Sequence, residues 1–389
     1  MPETITKMLE IQTNNQVPIL MTRNAEDIVL LCPDSTKIEM RIESGTFSVS
    51  TELIPADGQL NIPLADILNS LECRIGFCDL NGSYGKIIDI PSVSISFTDP
   101  ATGESVNWNR PVLQGGIDNQ DPDTALYSQW MTWRPQVGKL SEKAVSLLYC
   151  MIPKEIDNFR TDSLRVYIDI YTERSGKHSV LYADFPSSQL TSVVAVNTSF
   201  QQITSHPAIS ELVDDEILAY DVYAALSGFY QDLNVIGEKR STVKQRFVLS
   251  PTSSGSIGFL FRNSMGVFDD IHSSGSVKRK LNGEVTSFVA SGKESIQHNA
   301  ADYSYEVDTG YISSARQLAQ WEDFLRSSEH YMVLDNGSIS KIIIENPDTD
   351  FQLKKLGSIT FSFRMAERWK GHYFKNQELD YFDYDATEL

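Results

Sequence analysis

Short runs that alternate between apolar and polar residues dominate this chain. Ile38-Glu39-Met40-Arg41-Ile42-Glu43, Val93-Ser94-Ile95-Ser96-Phe97 and Leu164-Arg165-Val166-Tyr167-Ile168-Asp169-Ile170-Tyr171 all repeat with period two. That period sends successive side chains to opposite faces of a strand, one face buried and one wet. Further strands are predicted over 193–196, 217–226, 242–249, 257–261, 332–334, 339–345 and 358–365, runs rich in the Tyr, Phe, Val and Ile that strands favour. Leu80-Asn81-Gly82-Ser83 predicts a hairpin joining 75–77 to 86–90, and Asp335-Asn336-Gly337-Ser338 one joining 331–334 to 339–344.

Period 3.6 shows in two places. Leu64, Ile67, Leu68 and Leu71 share one helical face after Pro63, a residue suited to a first helical turn. Ser314 with Gln317 fits a capping box, and Leu318, Trp321 and Leu325 follow at helical spacing, predicting a helix over 314–327. The aperiodic stretch 114–123, rich in Gly, Asn and Asp, marks one boundary. A change of composition near 291–301, after the Ser/Gly-punctuated segment 271–290, marks another. The expected organisation is an N-terminal β domain over 1–115, a central β domain over 116–290 and a C-terminal domain over 291–389. The fold class is mainly β, with several sandwich- or barrel-like modules and an α+β C-terminal domain containing one helix.

Composition narrows the function. The 389 residues carry 33 Lys and Arg against 52 Asp and Glu, a formal charge of −19. Sequence-specific nucleic-acid binding through a general basic face is not expected, since phosphate binding runs on Lys and Arg. No run approaches the roughly 18 apolar residues of a membrane span, so no membrane insertion is expected. The start, Met1-Pro2-Glu3-Thr4-Ile5-Thr6-Lys7, lacks a basic and then apolar leader, which leads to the expectation of a protein made in a cytoplasm.

Catalytic signatures are missing. Neither a GxSxG elbow nor a GxxxxGK[ST] loop occurs, and the four cysteines and six histidines lack paired zinc spacing. Cys32, Cys73, Cys78 and Cys150 read as reduced, packed thiols, with a Cys73–Cys78 disulfide as the alternative. Asp269-Asp270 and Asp214-Asp215-Glu216 read as solvated turns, and Asp118, Asp121 and Asp123 depart from the calcium-loop pattern. The chain is therefore expected to be non-enzymatic, with no cofactor and no metal. Trp130, Trp133, Arg134, Phe268 and Trp321 are the candidate packing anchors, some of them at subunit contacts; exposed aromatics would instead stack on sugar rings. Lys278, Arg279 and Lys280 are candidate charged contacts for an acidic patch on an adjacent copy. The tail segment 378–389, with Asp380, Asp383 and Asp385 among Tyr381, Phe382 and Tyr384, is one such patch.

Three stretches carry a family resemblance. Pro111-Val112-Leu113-Gln114-Gly115-Gly116-Ile117 followed by Trp130-Met131-Thr132-Trp133-Arg134-Pro135 is one. Phe259-Leu260-Phe261-Arg262-Asn263-Ser264-Met265-Gly266-Val267-Phe268-Asp269 is the second. Thr309-Gly310-Tyr311, the Trp321-bearing helix and Ile359-Thr360-Phe361-Ser362-Phe363-Arg364-Met365-Ala366 form the third. Together they resemble structural tail proteins, of tail and baseplate type, from tailed phages and prophages of Bacteroides-type bacteria. The resemblance covers about 110–370, its motifs are short, and it carries over no catalytic residue. It implies a virion tail subunit, in the tube, the baseplate or distal tail, or a portal-proximal adaptor. Such a subunit forms rings with copies of itself and contacts other virion tail proteins. Acids lining a ring would repel DNA phosphates. The alternative reading is a receptor- or glycan-binding tail component whose partner is a host surface glycan; a carbohydrate-degrading enzyme stands further off.

Overall fold

A computed structural model describes residues 9–13, 19–71, 73–76, 82–117, 129–142, 144–153, 155–156, 158–187, 192–211, 215–233, 235–249, 257–290, 293–334, 338–345 and 357–366. It gives backbone alone over 155–156, 282–290 and 293–302. The fold is mainly β and built of several sheets. Leu20–Met21, Ser105–Leu113, Ser92–Thr98, Ile38–Ser44 and Phe47–Leu53 lie side by side in that order. A three-stranded sheet, Glu10–Gln12, Ile28–Leu31 and Gln59–Ile62, shares its core with them, and the helix Leu64–Ser70 closes it through Leu64 and Leu68. Ile38, Met40 and Ile42 point into this core while Glu39, Arg41 and Glu43 face water, as the alternation requires.

The second large sheet is laid along two 14-residue strands, Phe159–Thr172 and Ile217–Tyr230, paired antiparallel over nearly their whole length. Gly176–Pro186 borders the first, Val235–Arg240 and Gln245–Leu249 border the second, and Val137–Leu140 runs parallel to Gln245–Leu249. Between this sheet and the rest stands a three-stranded wall: Leu147–Ile152, Ser192–Asn197 and Gly85–Ile88. Every residue of Leu147–Ile152 is buried. Leu148, Cys150 and Ile152 pack toward the large sheet. Leu147, Tyr149 and Met151 pack the other way, onto Ile19, Met21, Leu113, Met265, Val267 and Phe268. A strand covered on both faces loses alternation and reads as one continuous apolar run.

The third body is a seven-stranded sheet in the order Phe268–Ser273, Ile257–Arg262, His330–Val333, Ile339–Ile344, Thr360–Met365, Lys293–Asp308, Val277–Ala290. The helix Ala315–Arg326 covers it with Leu318, Trp321, Phe324 and Leu325. Ser314 Oγ accepts from the Gln317 amide at 3.1 Å as the capping box requires, and the Gln317 side chain accepts from the Ser313 amide at 2.9 Å, one residue earlier than expected.

Strand pairing departs from the expected limits at 115 and 290. Gly85–Ile88 pairs with Ser192–Asn197, not with 75–77, and residues 77–81 of the expected hairpin lie outside the described residues. Ile257–Arg262 and Phe268–Ser273 belong to the same sheet as the C-terminal strands, and a limit at 290 falls inside the hairpin Val277–Ala290/Lys293–Asp308. Polar composition marks where a chain turns; it does not say which remote segment the next strand joins. His330–Val333 pairs with Ile339–Ile344 as expected, and residues 335–337 of the turn between them lie outside the described residues.

Candidate functional site

The three stretches that carry the resemblance meet in one buried junction. The turn after Ile257–Arg262 is held by Asn263, whose Oδ1 accepts from the amides of Met265 at 3.1 Å and Val267 at 3.2 Å. Asn263 Nδ2 donates to Met131 O at 2.8 Å, and Trp133 Nε1 donates to Ser264 Oγ at 2.8 Å. The Gly116 amide donates to Ser264 O at 2.8 Å. Gly266 sits at φ +86, and a Cβ there would stand 2.2 Å from Gln114 O; a Cβ on Gly115 would stand 2.5 Å from Ser264 O. Only glycine permits these two backbones to touch. From the covering helix, Asp323 accepts from the Ser264 amide at 2.9 Å and Gln320 Nε2 donates to Asp270 O at 2.9 Å.

Charge is concentrated at the same place. Arg134 Nη2 reaches Asp269 Oδ1 at 2.9 Å and also binds Asp270 Oδ1, while Nη1 donates to Ser146 Oγ at 2.8 Å. Thr132 Oγ1 donates to Asp269, the Leu147 amide donates to Asp270 Oδ1 at 3.0 Å, and His272 Nε2 stands 3.2 Å from Asp270 Oδ2. All three charged side chains of the triad are buried. Burial pushes the Asp269 carboxyl up against the opposing pull of Arg134. Burial also acts on Asp270, but Arg134, His272 and the Leu147 amide outweigh it and hold that carboxyl at about 2. The expectation of a solvated Asp269-Asp270 turn is therefore corrected. Phe268–Ser273 lies between the wall strand and the covering helix, so both of its faces are closed.

The candidate anchors fall inside the chain. Trp130 packs in the core of the large sheet and Trp321 in the core under the helix, edge-on to Phe324 at 5.5 Å. Phe268 lies under the Arg262 guanidinium at 4.7 Å, Trp133 is half-buried, and Arg134 belongs to the triad. Trp108 is buried as well, so none of these three buried indoles, Trp108, Trp130 and Trp321, offers a face to a sugar. Cys32, Cys73 and Cys150 are buried thiols, and burial raises the pKa of each. Asp215 accepts from the Arg174 and Ser175 amides, capping a loop. Among the described residues no group of acids, histidines and cysteines could hold a metal ion. Cys78, Asp118, Asp121, Asp123, Asp214, Asp380, Asp383 and Asp385 lie outside the described residues.

Two features escaped the sequence. One is a long two-stranded ribbon. Val277–Ala290 and Lys293–Asp308 pair along their whole length, yet only Ser304–Asp308 of the second strand is joined to a further strand, Thr360–Met365. Beyond Tyr303 the ribbon continues for about 30 Å at roughly 3.3 Å per residue. Its root is rigid: Gly275 and Gly310 lie so close that a Cβ on Gly275 would stand 2.7 Å from the Gly310 amide, and Ser273 Oγ donates to Asp308 O at 2.6 Å. The candidate bases lie at this root and have partners within the chain. Lys278 Nζ stands 3.3 Å from Glu306, Lys280 binds the same carboxylate, and Arg279 lies 3.7 Å from the centre of the Tyr303 ring. The strict alternation Tyr303-Ser304-Tyr305-Glu306-Val307-Asp308 is the signal that identifies the returning strand.

The other is the outer face of the large sheet. Tyr167 stacks on Tyr223 at 5.5 Å and 19°. Asp169 and Asp221 stand directly opposite each other on paired strands, an unfavourable placement for like charges. Bases roof them. Arg246 grips Asp221 with Nε at 2.6 Å and Nη2 at 2.8 Å; Lys177 at 2.9 Å and Lys244 hold Asp169. Burial raises both carboxyls, and these partners more than reverse it, leaving both below the usual range. The Lys244 ammonium and the Arg246 guanidinium lie over the Tyr223 and Tyr171 rings, 4.6 and 4.8 Å from their centres.

Comparison with known proteins adds little to this geometry. No protein-family model matches the chain, and no curated protein matches it. Among solved structures it is similar to a chain from work on host cell surface retention of a 1.5-MDa bacterial ice-binding adhesin. That likeness has 7% identity over 79% of this chain and 92% of that chain, at a TM-score of 0.15. A likeness that slight carries no argument about fold or function. No helix among the described residues is long and apolar enough to cross a membrane.

Proposed function

We propose that this chain is a structural subunit of a bacteriophage tail. It works in the virion by binding copies of itself and neighbouring tail proteins. The observation that carries this reading is the ribbon beyond Tyr303. A two-stranded hairpin is marginally stable in water by itself and needs a third strand or a packed face. A closely packed root carrying a ribbon of this length that no further strand joins among the described residues is the form of an arm that finishes folding against a neighbour. The family resemblance supports the tail assignment, and its motifs converge on the buried junction, where they tie the sheets together. The test is the native mass of the purified full chain across a concentration series, with negative-stain images. Closed rings or symmetric oligomers are the expected result. A single-chain mass at every concentration overturns the reading.

The outer face of the large sheet favours a second reading, a glycan-binding tail component. Its stacked Tyr167–Tyr223 pair among carboxylates and bases has the chemistry of a sugar platform. Binding of the isolated protein to host capsular polysaccharide, lost on Tyr223→Ala, would favour it over pure assembly.

A further inference from the structure

Sheet edges invite pairing with another chain, and proteins blunt them with lysine, proline, bulges or cover. Among the described residues the longer edges divide by this test. Gly176–Pro186 carries Lys177, His178 and a closing Pro186, and its pairing with Phe159–Thr172 contains a register shift. Val235–Arg240 carries Glu238, Lys239 and Arg240. Phe268–Ser273 is buried. Two edges carry no lysine, arginine or proline. One is the distal part of Val277–Ala290: its root holds three bases, 281–290 holds the single acid Glu284, and the register shift at Thr286/Ser287 puts the extra residue on the partner strand rather than on this edge. The other is Phe47–Leu53, which pairs with Ile38–Ser44 alone and whose only charge is Glu52.

Phe47–Leu53 also overhangs its core. Phe47 and Val49 lie opposite Ser44 and Ile42, on the face that buries Met40 and Ile42, yet they are 49% and 42% exposed. Ile54, next along the chain, is 81% exposed. Among the described residues this edge, with apolar residues on its core-side face, has neither a strand on its outer side nor cover above it. A two-stranded ribbon added there supplies the strand through backbone hydrogen bonds. The edge's seven residues span about 23 Å, so a ribbon of about 30 Å is long enough to pair along all of it.

We infer that the outer edge of 281–290 pairs with Phe47–Leu53 of a second copy of this chain. The inference rests on the assembly reading and deepens it. One copy gives the ribbon and the next gives the edge, so the contact is head-to-tail, the type of interface that closes into rings. Each copy then keeps one free ribbon and one free edge until the ring closes.

The test mixes full-length Ser50→Cys with full-length Ser287→Cys and adds a short bis-maleimide. Ser179→Cys, on the protected edge, replaces Ser50→Cys in the control. The two-chain product should form about tenfold faster with Ser50→Cys, because an interface raises the effective concentration of its partners. A second variant, Val49→Lys, changes an exposed side chain. It should reduce the native mass to one chain while the melting temperature stays within about 2 °C. If wild type is oligomeric but cross-linking ignores the position, or Val49→Lys keeps the oligomer, the landing site is wrong and the assembly reading stands. If wild type is a single chain throughout, both fall.

Discussion

Arg134 carries one positive charge into a space with two carboxylates, and the fold meets that imbalance with neutral donors. Thr132 Oγ1 donates to Asp269 and the Leu147 amide to Asp270, His272 Nε2 stands beside Asp270, and Ser146 Oγ accepts from the guanidinium. Removing the cation leaves two acids in apolar surroundings. Arg134→Ala should cost about 3–5 kcal/mol in denaturant unfolding, the usual result of breaking a buried pair from one side. Arg134→Met combined with Asp269→Asn and Asp270→Asn should recover most of that loss, which a purely steric role for Arg134 would not allow. Asp323 makes a second test at the same junction. Burial raises its carboxyl from 3.8 to about 6, although the Ser264 amide opposes this; the neighbouring Asp269 adds to the rise and Arg23 reduces it. An acid with a raised folded pKa binds its proton more tightly when folded, so stability falls as pH climbs through this window. Asparagine keeps the acceptor for the Ser264 amide without the charge. Asp323→Asn should therefore be more stable than wild type above pH 6, on the order of 1–2 kcal/mol. The advantage should vanish near pH 4, measured as melting temperature across pH.

At the scale of elements, burial pattern decides what a sequence can show. Strands with one wet face announced themselves: Ile38–Ser44 and Ser92–Thr98 were legible from alternation. The wall Leu147–Ile152 has no wet face, so its apolar run carries no period and its place between two cores was invisible. The ribbon was lost for the opposite reason, since small and polar residues over 282–302 weaken any apolar period. The junction was half legible. Its motifs stood out in sequence, but Arg134 and Asp269 are far apart in the chain, and spacing alone gives no sign that they meet. The outer face of the large sheet offers a check with the opposite pH sign. Asp221 is held below the usual range because Arg246 and Tyr171 outweigh its burial. A depressed carboxyl adds stability above its unfolded pKa, and that stability drains away as pH falls through the folded value. Asp221→Asn should cost about 1 kcal/mol at pH 7, a modest figure because Arg246 is half-exposed and screened. Wild type and variant should converge near pH 2 in thermal unfolding.

For the molecule as a whole, the question is whether the ribbon belongs to the fold or to the assembly. Leu281 and Tyr303 are direct cross-strand partners, so an Asn-Gly turn can join them and delete 282–302 without disturbing the register. The root keeps its hold on Thr360–Met365 through Ser304–Asp308, and Lys278, Lys280 and Glu306 remain in place. If the ribbon serves the fold, its removal takes cross-strand hydrogen bonds from the monomer and lowers the melting temperature by several degrees. If it serves assembly, the monomer loses only a hairpin that contributes little by itself. The second outcome follows from the geometry. The shortened chain should melt within about 3 °C of the single-chain Val49→Lys variant. It should sediment as a single chain at concentrations where the full chain is oligomeric, read by analytical ultracentrifugation beside calorimetry. Retention of the full oligomer by the shortened chain would remove the ribbon from the assembly and leave its length without a physical reason.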